Sequence, residues 1–247
     1  MNTEYVLFLI LGACSGGFIN GLSGTGTALF ALGFYLVVLD PLRAVAIVAL
    51  MSVIVGLQGL WIVRKEVLAR PQQVLRFVVP GLLGVPLGVT LLERIDAGSL
   101  RLAIAAFLIL YGVYFGFRAK LPEFSRKTPV IDGAVGLTGG VLGGAASVSG
   151  AVPAMWLSLR PWPKAQTRAV LQPFNIAILG TTIGLLAVKG AYDQTALRAL
   201  LLTIPAGLLA GQVGIFVFKR LSDGGFRRLL IQLTLLMGIG IAISEVI

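Results

Sequence analysis

Long apolar stretches, separated by short charged segments, run the whole length of the chain. The first, Gly-rich, extends from Tyr5 to Leu39. Further spans lie at about 43–63, 74–92 and 100–117. A polar, basic segment from Arg118 to Asp132, with Pro122 and Pro129, interrupts the pattern. A second Gly-rich stretch covers 133–159, and three more spans follow at about 168–188, 196–218 and 226–243. Apolar runs of about 18 residues or more without charge predict membrane spans. They predict helices in particular, because backbone groups in lipid must be satisfied within the segment. The fold class expected is an all-α polytopic membrane protein.

The two halves resemble each other in order. Gly12, Gly16, Ser23, Thr25 and Gly26 meet Gly136, Gly140, Ser147, Ser149 and Gly150 at an offset of 124. Arg43-Ala44-Val45 meets Arg168-Ala169-Val170 at 125, and Gly81 and Gly88 meet Gly207 and Gly214 at 126. A nearly constant offset across consecutive segments predicts an internal duplication: a first repeat over 1–117, a linker over 118–132 and a second repeat over 133–247.

Charge gives the halves an orientation. The segment 64–76 carries Arg64, Lys65, Arg70 and Arg76 against Glu66, while its counterpart is nearly balanced. The segment 93–101 is balanced, while its counterpart carries Lys219, Arg220, Arg227 and Arg228 against Asp223. The basic excess switches sides at each pair, as inverted repeats require when Lys and Arg stay in the cytoplasm. Inversion needs an odd number of crossings per half. Each half has three clean spans, so each Gly-rich stretch must leave on the side it enters, as two half-depth helices around a broken middle. Six spans and two re-entrant hairpins are expected, with both termini outside and the linker cytoplasmic. The N-terminus lacks a basic region, so no cleaved signal peptide is expected.

Composition narrows the chemistry. Hydrophobic residues make up 57% of the 247, charged residues only 12%, and the mean hydropathy is +0.96. The net charge of +10 is explained by basic loops that set orientation, and no nucleic-acid partner is expected. There is no His and one Cys, so His and Cys metal sites are excluded, and Cys14 is expected to be buried. All ten carboxylates lie near segment ends. A cation pathway or a proton relay would place an acid at depth. No enzyme activity, metal or cofactor is expected.

What lies at depth is neutral. Asn20, Ser23 and Thr25 belong to the first break, Ser147 and Ser149 to the second. Gln172 and Asn175 flank Pro173, which should break its helix locally and free a carbonyl. Broken helices expose backbone N–H groups that attract anions. Gly and Ser serve tight packing equally well. Arg43 and Arg168 each open the helix after a break; near the membrane surface they would attract or gate an anion, or simply anchor the helix. Gln58 and Gln212 are weaker candidates.

Gly16-Gly17-Phe18-Ile19-Asn20-Gly21-Leu22-Ser23-Gly24-Thr25-Gly26, Arg43-Ala44-Val45, Gly139-Gly140-Val141-Leu142-Gly143-Gly144 and Arg168-Ala169 resemble the sulfite exporter TauE/SafE family over essentially the whole chain. Gly24-Thr25-Gly26-Thr27 departs from the family's usual glycine run. The resemblance implies a secondary transporter in the bacterial inner membrane that exports sulfite or organosulfonates. An anion channel or a non-catalytic membrane subunit is the alternative. The partners expected are a small anion, the lipid bilayer and, as a possibility, a second copy of the chain.

Overall fold

The computed structural model describes residues 3–94, 97–116 and 123–246. The first part of the linker and the junction at 95–96 lie outside the described residues. Among the described residues, ten helices follow one another: α1 (Thr3–Ser23), α2 (Thr27–Val38), α3 (Pro41–Ala69), α4 (Pro71–Arg94), α5 (Ala97–Gly116), α6 (Pro129–Ala146), α7 (Ala151–Ser158), α8 (Lys164–Val188), α9 (Gln194–Arg220) and α10 (Asp223–Val246). Described residues contain no strand.

Local chemistry fixes the helix ends. Gly24 and Gly26, with φ of 87° and 92°, stop α1 and turn the chain into α2. Asp40 accepts a hydrogen bond from Arg43 N at 3.1 Å, and Pro41 fits the first turn, so α3 starts there. Asp193 caps α9 in the same way, accepting from Ala196 N at 3.0 Å.

Among the described residues, six helices are long and apolar enough to cross a membrane: α1, α3, α4, α6, α8 and α9. α1 has 21 residues and α6 has 18, or about 30 Å and 27 Å at 1.5 Å per residue, so neither is half-depth. Their partners are short, 12 residues in α2 and 8 in α7. The breaks therefore fall late in each Gly-rich stretch. The linker also ends earlier than expected: α6 begins at Pro129, and Asp132 is buried in its first turn.

Small residues set the packing. α1 lies along α9 so closely that a Cβ on Gly17 would overlap Gly207, and one on Gly21 would overlap Gly211. α6 lies along α4 in the same way, through Gly136 against Phe77, Gly140 against Gly81 and Gly144 against Val85. Residue numbers rise together in both pairs, so each pair runs parallel. Carbon-to-carbonyl contact of this kind is how membrane helices gain dispersion energy without a hydrophobic driving force. α3 packs on α8, and α5 on α10. Outward-facing Leu83, Leu110, Leu201 and Leu209 are 68–76% exposed, as suits a lipid-facing surface. Cys14 is exposed as well, not buried.

The hairpins open at different ends of the bundle. α2 folds back on α1, with Gly12 against Tyr35 and Gly16 against Ala31. Arg43, just after α2, donates from Nε to Asp193 at 3.0 Å, at the start of α9. At the other end, Arg160 pairs at 3.0 Å with Asp132, joining the end of α7 to the start of α6. Gln166 meets Gln73 there, and Arg227 meets Glu123. Four basic segments thus gather at one end of the bundle: 64–76, 123–128, 160–168 and 219–228.

The Arg43 bridge carries a prediction. Hydrogen bonds from the Arg43 side chain and from Ala196 N hold the Asp193 carboxyl down at about 2. A depressed carboxyl stabilises the fold above its ordinary value near 3.8 and loses that contribution as pH falls toward 2. Asp193→Ala should lower the melting temperature by a few degrees at pH 7, and the difference from the unaltered protein should persist at pH 5. Melting curves at the two pH values check it.

Candidate functional site

Both breaks converge on one stretch of α8. At the first, Gly24 approaches Arg168 and Gln172 so closely that a Cβ would stand 3.0 Å from Gln172 Oε1. Gly59 on α3 leaves room for the same two side chains. At the second, Ser149 Oγ donates to Asn175 Oδ1 at 2.6 Å. The breaks also touch each other: Thr25 packs directly on Gly150, where any side chain would collide with its hydroxyl. The gap between them leaves no room for a water molecule. Ser147 adopts the left-handed conformation with φ 56°, doing for α6 what Gly24 does for α1. By its packing, α6 matches α1 at an offset of 123, since Gly140, Gly144 and Val141 take the places of Gly17, Gly21 and Phe18. The starts of α2 and α7 differ by 124. The offset changes by one residue within the break.

The predicted residues divide by what they do. Asn20 is a brace: its Nδ2 donates to Thr27 Oγ1 at 2.8 Å and to Ser52 O at 3.0 Å, while its Oδ1 accepts from Gln172 Nε2 at 3.4 Å. It joins α1, α2, α3 and α8. The Ser23 hydroxyl serves its own turn, lying 2.9 Å from Ile19 O and 2.7 Å from Thr25 O. Gln58 and Gln212 bond each other at 3.0 Å on an exposed face, away from the breaks. Pro173 does not interrupt α8, which runs unbroken from Lys164 to Val188.

Arg43 and Arg168 part company. Arg43 stays near the surface, paired with Asp40 and Asp193. Arg168, expected near the surface too, is fully buried. The tip of the first hairpin and the Phe218 ring cover it, with its guanidinium carbon 4.4 Å from the ring centroid. Its Nη2 donates to Gln172 Oε1 at 3.3 Å, but Nε and Nη1 meet no acceptor. The same is true of Asn175 Nδ2 and the hydroxyls of Ser147 and Thr167. Thr167 was not anticipated, since a lone threonine beside a charged residue carries no sequence signal. Burying an unpaired cation costs several kcal/mol, and the unfilled donors beside Arg168 would suit an anion. Among the described residues, no group of three or more His, Cys, Asp and Glu is placed to hold a metal ion.

A multi-pass helical bundle, with two broken hairpins meeting over a buried arginine that pairs with no carboxylate among the described residues, defines the class: a polytopic helical membrane protein. The family model described as sulfite exporter TauE/SafE matches residues 8–241, and the chain belongs to that family of membrane transporters. No curated protein and no solved structure gives a significant match.

Proposed function

We propose that this protein exports small sulfur oxyanions, sulfite or organosulfonates, by alternating access at the paired breaks. The observation that carries the reading is the buried Arg168 with two donors unfilled. Sulfite presents several oxygens and up to two negative charges, which suits a guanidinium fork. The free Asn175 amide and Ser147 hydroxyl extend the donor path along α8. Asn20, Ser23 and Gln172 hold the first break and Arg168 in register. Thr25 and Gly150 form the contact between the breaks, and Ser149 ties the second break to Asn175. In this reading residues 1–117 and 133–247 are inverted repeats, the basic end of the bundle faces the cytoplasm, and rocking of one repeat against the other opens the Thr25–Gly150 contact alternately to each side. The opposed openings of the two hairpins and the gathering of basic segments at one end support it.

Thermal unfolding of the purified protein against a panel of anions tests the substrate class. Saturation at a hundredfold Kd stabilises a protein by about 2.7 kcal/mol. Sulfite and short sulfonates should raise the melting temperature by several degrees, and monocarboxylates by much less. Equal shifts with carboxylates, or none with any oxyanion, would refute the assignment.

A further inference from the structure

At the basic end of the bundle, a cavity of about 520 Å³ opens between the start of α4, the segment before α6 and the turn before α8. Arg70, Arg76, Arg126 and Lys127 line it, and none of the four pairs with a carboxylate among the described residues. The single acid in its wall, Asp132, is already bound to Arg160 at 3.0 Å. Arg160 is 2% exposed, and its Nε has no acceptor. Elsewhere Arg160 donates to the carbonyls of Phe124 and Arg126, at 3.0 and 2.5 Å, so it holds the 123–128 segment in place as one wall of the cavity. Gln73 lines the cavity and accepts from Gln166 Nε2 at 3.0 Å. Gln166 stands in the first turn of α8, two residues before Arg168. The wall of the cavity is therefore bonded to the same helical turn that carries the buried cation.

We propose that this cavity is a separate, low-affinity loading site for oxyanions, which concentrates them at the basic end before they pass the Gln73–Gln166 bridge to Arg168. The inference rests on the reading of Arg168 as the anion centre. A cleft lined by cations with low-dielectric walls focuses field and raises local anion concentration by about 10-fold or more. That effect is screened by salt, with a Debye length of about 10 Å at 0.1 M and 3 Å at 1 M. The occupant is a free oxyanion from the aqueous phase; an anionic lipid headgroup shares the chemistry and is separated by the test.

The test uses the full chain with Arg70, Arg126 and Lys127, all exposed, changed together to Gln. Sulfite uptake into the transport cycle is measured from the basic side in neutral-lipid vesicles. The half-saturating concentration should rise about 10-fold at low ionic strength with the maximal rate unchanged, and the gap should close at 1 M salt. Independently, calorimetric titration of Arg168→Met protein with sulfite should retain a weak, salt-sensitive site that disappears when the three changes are added. An unchanged half-saturation, a fall in maximal rate alone, or an effect seen only with anionic lipid would overturn the proposal. So would the absence of residual binding in Arg168→Met. Failure of uptake in every protein with the residual site intact would instead count against the transport reading.

Discussion

Arg168→Met protein should melt at a higher temperature than the unaltered protein and should have lost its tight sulfite site, keeping only weak, salt-sensitive binding. The two effects share one cause. Without an anion the guanidinium is buried, uncompensated by any carboxylate among the described residues, and leaves Nε and Nη1 unsatisfied. Exchanging buried ionic groups for apolar ones of similar volume commonly stabilises by about 1–4 kcal/mol. Methionine places a flexible apolar chain against Phe218, where sulfur–aromatic contact is favourable. Binding moves the other way. Two charge-assisted hydrogen bonds contribute about 1.5–3 kcal/mol each, so their loss weakens binding by about 100-fold or more. Melting curves and calorimetry on the same preparation check both signs. A residue kept only for packing would lose stability on substitution and leave binding unchanged. Arg168→Lys keeps the charge but not the fork, and should fall between the two.

Gly140→Ala and Gly21→Ala should each prevent a stable fold. A Cβ at Gly140 would overlap the Gly81 carbonyl, and one at Gly21 the Gly211 carbonyl. The clash is with backbone, so no rotamer relieves it, and α6 must move off α4 or α1 off α9. Overpacking of a close interface costs about 1–3 kcal/mol and occasionally more. Here a whole parallel helix pair is displaced, and the upper end applies. Gly33, Gly180 and Gly184 are the controls. Nothing lies within 4 Å of a Cβ at any of them, and Ala there should be neutral or stabilise by up to about 1 kcal/mol. Folded yield after detergent extraction, measured for all five variants, distinguishes the two groups.

That contrast marks what was legible in the sequence. The helical membrane class follows from hydropathy, because lipid leaves the backbone no alternative. The breaks at 23–26 and 147–150 were legible from glycine and hydroxyl clusters that no straight helix needs. Their unequal placement was not, since glycines recur on both sides of each break and do not mark which of them ends the helix. Which of the 32 glycines touch backbone also depends on helix pairing that local sequence does not carry. Arg43 and Arg168 stand in the same local motif, yet one is at the surface and the other buried. The difference lies in Asp40 and Asp193, which neutralise Arg43, and in Gly24 and Gly59, which make room for Arg168. All of those partners but Asp40 are distant in sequence, so the shared Arg-Ala-Val motif reads the two arginines as equals. Asn20 and Ser23 were correctly chosen as buried polar groups, but their hydrogen bonds are used within the protein.

Counterflow of labelled sulfite into liposomes, with the unaltered protein beside Arg168→Met, tests the central claim most directly. The unaltered protein should accumulate label transiently when the vesicles are preloaded with unlabelled sulfite, with saturable kinetics, and the Arg168→Met protein should not. Equal counterflow in both, or uptake that rises without saturation and needs no preloading, would contradict an alternating-access anion site centred on Arg168.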